Sequence, residues 1–496
     1  MQKKSLLTLI ALSFITINGI LAQMNNPIFI ESWITKADRS MLFEKQKDTI
    51  KFSVNNRGWG TPIVVDDKQS FQTMDGFGFA LTGGSAALMM KMNAQTRAKV
   101  LKQLFATDGT NAGVSYIRLS IGASDMNSFV FSYDDLPAGE TDFELKKFSL
   151  AQDLKDVIPI MKEILAINPA IKILGSPWSA PTWMKTNDKV KSGFLKKECY
   201  AVYAQYFVKY ITAMKQQGIA IDAITIQNEP LNANNTPSMR WYAAEAATFI
   251  KDNLGPAFKQ NDINTKIILF DHNCDRPDYP LLILNDPEAA KYVDGSGFHH
   301  YGGDISALNV VHMARPDKNL YFTEQMVVEN NAAKSLNVVE PVKDLIINAA
   351  RNWSKNVLLW NLAADADNKP HTNDGGCPMC QGAITIEGND VSFNIAYYAV
   401  VHASKFVRPG SVRIKSTYPG DAAVAITKDE EQPTVIRIAQ TANSDVLPNV
   451  AYKTPEGKIV LIAANDKNTT QHFRIQYNGM MAYLKLDAGA VGTFVW

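Results

Sequence analysis

The sequence predicts an α/β protein: a (β/α)₈ TIM barrel with an appended antiparallel β-sandwich built from both termini. Three observations carry this. Between about residues 71 and 405, eight short apolar runs alternate with longer helical patterns. Strands that alternate with helices form a parallel sheet through right-handed crossovers, and eight such units suit a closed barrel. Period-two patterns flank this stretch on both sides, as half-buried antiparallel strands require. No GxGxxG follows the first run, which counts against the alternative, an open doubly wound sheet. A chain of 496 residues has room for one large barrel and a smaller module.

In chain order, residues 1–22 come first. "MQKKSLLTLIALSFITINGILAQ" places two lysines before an apolar run ending in "ILAQ", a secretory signal pattern with cleavage after Ala22; the alternative is an N-terminal membrane anchor. No cysteine adjoins the cleavage point, so a lipid anchor is not expected. No later stretch holds 18 consecutive apolar residues, so the mature chain is not expected to insert in a membrane. The expected location is outside the cytoplasm, in a periplasm or at the cell surface and beyond.

Residues 23–70 contain "IFIESWITK", "TIKFSV" and "TPIVVDD". So few strands are unstable alone and should join a larger sheet. The barrel segment, 71–405, contributes the runs "QTMDGFGFALT" (72–82), "VSYIRLSIG" (114–122), "IKILGSPWS" (171–179) and "AITIQNEP" (223–230). It continues with "KIILFDHN" (266–273), "SGFHHYG" (296–302), "NLYFTEQM" (319–326) and "NVLLWNLA" (356–363). Helices lie between them. One is expected from Ser149 as N-cap to Pro169, with Pro159 inside it as a kink. A second ends at Gly218, and a third runs from Ser238 to a terminal Gly255. Residues 406–496 return to strands: "SVRIKST", "DAAVAITK", "TVIRIAQ", "KIVLIAAND", "HFRIQYN" and "MAYLKLDAGAVGTFVW".

Composition narrows the partners. Charged residues make up 20% and the formal net charge is +1, so no basic face for nucleic acid is expected. There are four cysteines: Cys199, Cys274, Cys377 and Cys380. The last two form "CPMC". Zinc would need two further ligands nearby, and no second CxxC exists. A redox motif would need a thioredoxin-like βαβ context. A short loop-stiffening disulfide fits an exported chain best.

In a barrel of this kind, chemistry gathers at the C-terminal ends of the strands. Read in order, those ends offer Arg118, Ser120 and Asp125; then Trp178 and Trp183; then Asn228 and Glu229. Asp271, His272 and Asn273 follow, then His299, His300 and Tyr301, then Glu324, then Trp360 and Asn361. Flat indoles suit the C–H faces of sugar rings, and amides, acids and histidines suit hydroxyls. Two carboxylates flanking a glycosidic bond can cleave it, and Glu229 and Glu324 are the candidates. Each also reads as an ordinary strand-end cap. Adjacent His299 and His300 should face opposite ways, which weakens a metal site; no metal or cofactor is expected. Arg118, on an apolar strand, requires an anionic partner, either Asp125 or a catalytic glutamate.

These motifs resemble glycoside hydrolase family 30, the glucosylceramidase-like enzymes, over most of the chain. "GSPWSAPTWMKTN" (175–187) is similar to a family signature, "ITIQNEP" to the acid/base strand, and "LYFTEQ" to the nucleophile strand. "YIRLSIGASDMNSFVFSYDD", "VLLWNLAAD" and "YYAVVHASKFVRPGS" match further parts. Two departures are "LTGGSAA", where many relatives carry an acid, and His299-His300-Tyr301, where relatives often have His-Trp-Tyr. The resemblance implies a retaining mechanism with Glu324 as nucleophile and Glu229 as acid/base, kept protonated by the charge of Glu324. It implies that Asn228 binds the sugar 2-hydroxyl, and that Asp125, Trp178 and Trp360 line the subsite. Arg118, His299 and Tyr301 would position or tune the nucleophile. "PHTNDGGCPMCQGAITI" (370–386) resembles a loop of members acting on β-1,6-glucan and related β-glucosides. The expected substrate is therefore a β-linked glucan or glucoside, most plainly β-1,6-glucan. Alternatives are glucosylceramidase, β-glucosidase or xylanase-like activity, a non-catalytic carbohydrate-binding protein, and a metal-dependent hydrolase using His299 or His300.

Overall fold

The computed structural model describes residues 27–54, 59–329, 335–419, 422–428, 436–442 and 445–496. The expected signal segment, 1–22, lies outside the described residues. We number the barrel strands β1 (Gly76–Leu81), β2 (Tyr116–Ile121), β3 (Lys172–Pro177), β4 (Ala223–Thr225), β5 (Lys266–Asn273), β6 (Val293–His299), β7 (Asn319–Glu324) and β8 (Ser354–Leu359). Each pairs in parallel with the next, and β8 closes on β1 through Asn356↔Gly76 to Leu359↔Phe79. All eight expected runs thus become barrel strands.

The two-residue period decides which side chains go where. Tyr116, Leu174, Ala223, Ile268, Tyr321 and Leu358 fill the barrel centre as one cluster. Their chain neighbours Ile117, Ile173, Ile224, Leu269, Phe322 and Leu359 belong instead to the larger core beneath the helices. In β5 a bulge breaks the period. Phe270 pairs with Gly297 and His272 with Phe298, so Asp271 is an extra residue. Phe270 and Asp271 both have positive φ, 71° and 55°. The bulge sends Phe270 outward onto Tyr279 and Phe298 and re-aims Asp271 inward.

Two helix expectations need correction. The segment from Ser149 holds a short 3₁₀ turn, and the helix proper is Val157–Ile167 with Asp156 as its N-cap. Pro159 is therefore third in the helix, where an N–H has no intrahelical partner to lose, and neither kinks nor breaks it. The helix expected from Ser238 to Gly255 starts at Ala243 and runs through a π-helical turn, Ile250–Leu254, to Gln260. Gly255 does not end it. A Cβ there would lie 2.2 Å from the Tyr292 ring, so close packing calls for the glycine. By contrast Gly218, at φ 83°, follows the helix Tyr200–Gln216 as expected.

The sandwich draws on both ends of the chain. Phe29–Thr35 pairs antiparallel with Val491–Val495, and Thr61–Thr73 pairs with Val412–Ser416 and, in parallel, with Gln471–Tyr477. The final expected piece, 481–496, is two strands, Met480–Leu486 and Val491–Val495. Asn449–Lys453 is a further strand that the sequence reading did not include. Ile34 and Leu484, from strands far apart along the sheet, share one core. The strand Ile459–Ala464 is buried on both faces. Ile459, Leu461 and Ala463 enter the sandwich core, while Val460, Ile462 and Ala464 join the barrel's. No helix among the described residues is long and apolar enough to cross a membrane.

Candidate active site

Arg118 is the hub. It leaves the middle of β2 on the inward face, two residues after Tyr116, and is completely buried. Its Nη1 donates to Glu324 Oε2 (2.5 Å), and its Nη2 to Asn228 Oδ1 and Asp271 Oδ2 (both 2.8 Å). Its Nε donates to Ser176 Oγ (3.1 Å). Its guanidinium also lies 4.8 Å from the Trp178 ring and 5.9 Å from that of Trp360, an attractive arrangement for a cation. Of its two expected partners, the glutamate is right and Asp125 is not; the second anion is Asp271.

Asp271 is fully buried and accepts from Arg118, from the Thr225 hydroxyl (2.7 Å) and from His299 Nε2 (2.9 Å). Burial alone would raise its pKa, but the Arg118 charge and the His299 bond outweigh that and hold it far below the carboxylate range. His299 ends β6. Its Nδ1 faces Glu229 Oε1 at 3.3 Å and Glu324 Oε1 at 3.6 Å. Burial disfavours its charged form, yet the surrounding acids, Glu324 first, push the imidazole up to about 9. In the free protein it is an imidazolium.

One carboxylate oxygen from each glutamate and a His299 nitrogen lie within 4.8 Å of one another. Glu229 sits at φ 46°, with its N–H donating to Asp271 O (2.9 Å). Its Oε2 accepts from Asn232 (2.7 Å) and Asn235 (3.1 Å). Glu324 accepts from Arg118 and from the Tyr301 hydroxyl (3.1 Å), which in turn accepts the Met326 N–H. Burial raises the Glu324 pKa despite His299 and Arg118. Glu229 goes the other way: burial raises it, but the His299 bond and charge, His272 and Asn232 together lower it to about 2. The expectation that the Glu324 charge keeps Glu229 protonated is thereby corrected. The trio titrates as a unit, and in this arrangement the proton rests on His299 between the two acids. The trio could physically share a metal ion, but Arg118 and His299 already supply cationic charge to it.

The cavity above these acids has a volume of about 300 Å³, enough for one sugar ring and part of a second. Asp125, Trp178, Glu229, Tyr301, Glu324, Trp360, Cys377 and Cys380 all line it. The Trp178 and Trp360 rings lie 5.2 Å apart, tilted by 32°. Asp125 is pushed up to about 8, by burial first and then by the two glutamates, so near neutral pH it carries a proton to donate. Asn228 Oδ1 accepts from Arg118, a bond that occupies its oxygen and leaves its amide N–H to donate. Trp183 lies elsewhere, donating to Asp134 within the core. His300 and His299 part ways as expected: His300 lines a separate cavity with Gln325 and Glu340.

Asp271, His272 and Asn273 were expected at a strand end without a specific role, and the cavity residues Asn232, Asn235 and Met326 were not singled out in the sequence. The amide-rich "LNANN" straight after Pro230 was a legible signal for the two asparagines. For Asp271 no local signal existed; a buried arginine calls for an anion but does not say which.

Over 432 residues the chain is 33% identical to an endo-1,6-beta-D-glucanase of Neurospora crassa, covering 82% of this chain and 88% of that one. It is 27% identical to the lysosomal acid glucosylceramidase of Mus musculus, covering 83% and 78%. A solved endo-β1,6-glucanase superposes with a TM-score of 0.82 at 31% identity, over 95% of this chain and 99% of that one. Residues 74–407 match the glycosyl hydrolase family 30 TIM-barrel domain and residues 436–494 the family's beta sandwich domain; the chain belongs to glycosyl hydrolase family 30 and is a glycoside hydrolase.

Proposed function

We propose that the protein is a retaining β-glycosidase that cleaves β-1,6-linked glucan by double displacement. The observation that carries the mechanism is the separation of Glu229 and Glu324, whose nearest acidic oxygens fall within 4.8 Å. Retaining pairs sit ~5 Å apart and inverting pairs ~6.5–9.5 Å, since the latter must admit a water. The β-1,6 linkage is supported by the likeness to endo-1,6-β-glucanases over most of the chain.

Glu324, aligned by Arg118 and Tyr301, attacks the anomeric carbon. Glu229 must deliver a proton to the leaving oxygen, and the His299 imidazolium 3.3 Å away supplies it. Once Glu324 is esterified its charge is gone, and Glu229 draws a proton from water to complete hydrolysis. Asp125, protonated near neutral pH, donates to a sugar hydroxyl, and the indoles carry the ring face.

Two measurements test this. A 2-deoxy-2-fluoro-glucoside should leave a covalent adduct on Glu324, and proton NMR should show the β-anomer as first product. An α-anomer would exclude the mechanism. Digestion of a β-glucan panel tests the linkage, and cleavage of glucosylceramide in preference to β-1,6-glucan would replace it. We also propose export, on the pattern of residues 1–22; a mature chain beginning at Met1 would refute this.

A further inference from the structure

The geometry points to the Cys377–Cys380 disulfide as a specificity-determining wall of the leaving-group subsite, placed to hold the second sugar ring of a β-linked glucan. This rests on the reading of Glu229 as proton donor to the leaving oxygen. The bond closes a four-residue ring, and its two ends stand in different surroundings. Cys380 is buried among Trp178 and Trp360, with its Sγ 3.7 Å from Met326 Sδ. Cys377 is half-buried and lines the catalytic cavity with Asn232 and Asn235, the amides that hold Glu229 Oε2. Cys380 lies with the indoles, and Cys377 follows a segment that Gly375 ties to Thr236, next to Asn235; this sets the disulfide between the indole platform and the proton-donor side, where a chain leaves the first sugar.

The segment is fixed there from outside. Thr372 N–H donates to Asp125 O (2.8 Å), and its hydroxyl donates to Thr236 O (2.9 Å). Thr236 N–H donates to Gly375 O (3.2 Å). Beneath it, a Cβ on Gly84 would lie 2.3 Å from Met126 O and 2.7 Å from Pro370 Cγ, so the glycine in "LTGGSAA" lets both Met126 and this loop settle against it. Sulfur is soft and apolar, suited to the C–H face of a pyranose. A covalently closed loop also offers that face already ordered, which lowers the entropy lost on binding.

The test compares kcat/KM for a β-1,6-linked glucose trisaccharide with that for β-glucosyl fluoride, whose leaving group places no ring in the subsite. In the Cys377→Ala/Cys380→Ala variant the trisaccharide-to-fluoride ratio should fall about tenfold or more, chiefly through KM, the scale of an apolar contact in a specificity pocket. An unchanged ratio, whether both rates fall or neither does, overturns the inference. Should the double variant fail to melt cooperatively, Met326→Ala trims the same wall with the disulfide intact. Its ratio must fall in the same direction, and a constant ratio again refutes the inference. Failure of the linkage reading looks different: the wild-type protein would hydrolyse the fluoride and spare the trisaccharide. The ratio is then read on the β-linked disaccharide it does cleave. Wild-type protein that cleaves no β-glucoside at all sinks both.

Discussion

At the residue scale, two glutamates of one chemistry are separated by what touches them. Glu229 accepts from two amides and an imidazolium, while Glu324 accepts from a guanidinium and a phenol. Glu324→Gln should abolish the nucleophile and lower kcat on glucan at least ~1,000-fold, with folding intact by circular dichroism. Glu229→Ala should cost about as much on glucan, yet far less on a dinitrophenyl glucoside, whose leaving group needs no proton. Equal losses on both substrates would remove Glu229 from the acid role. His299 keeps its proton up to about pH 9, so activity routed through it falls as the pH rises past that value. Asp271 helps to hold that pKa up. Asp271→Asn should therefore lower it and move the alkaline limb of the kcat/KM profile to lower pH. A limb that stays in place would show that His299 is not the proton source.

At the element scale, the motifs were legible because they lie at strand ends, and strand ends follow from apolar runs. Asp271's role was not legible, for a physical reason. A regular period of two would turn Phe270 inward and Asp271 outward with Leu269. The bulge, stabilised by packing of Phe270 on Tyr279 and Phe298, inverts this, and no local feature of "KIILFDHN" announces it. Helix punctuation failed similarly. A glycine near a helix end reads as a terminator, but Gly255 answers to the ring of Tyr292 in a distant segment. Gly255→Ala should therefore lower stability by ~1–3 kcal/mol through overpacking. Pro159→Ala, in the first helical turn, should change it by less than ~1 kcal/mol. Thermal melts of the two variants side by side measure this, and a reversed order would restore the sequence-based assignment.

At the scale of the whole molecule, barrel and sandwich are joined through a buried histidine. His402, on the helix Ile395–Ser404, meets the Thr493 hydroxyl at Nδ1 and the Thr35 hydroxyl at Nε2 (both 2.8 Å), one from each chain end. The Thr493 hydroxyl itself donates to His402 O, so Nδ1–H donates to Thr493 and Nε2 accepts from Thr35. That neutral tautomer has no room for a second proton, and burial lowers the pKa to about 3. The unfolded chain takes up a proton near pH 6.5 and the folded protein does not until about 3. Stability from this site is complete above 6.5 and is lost as the pH falls from there toward 3. The melting temperature should drop over that range, and by less in His402→Asn. Identical slopes for the two proteins would show that other groups set the acid limit.

The sequence by itself determined the barrel, the sandwich shared by both termini, and the place of Glu229 and Glu324 at strand ends. Those depend on apolar periodicity and on residue types at strand ends, which are local properties. Only the tertiary structure decided where charges and protons reside. Arg118, Asp271, His299 and the glutamates come from five different strands or the turns that end them. Their ionisation depends on distances of 2.5–3.6 Å between those strands. Coulomb and burial effects act across space, so one bulge in β5 could reverse which group holds the proton while leaving every sequence motif unchanged.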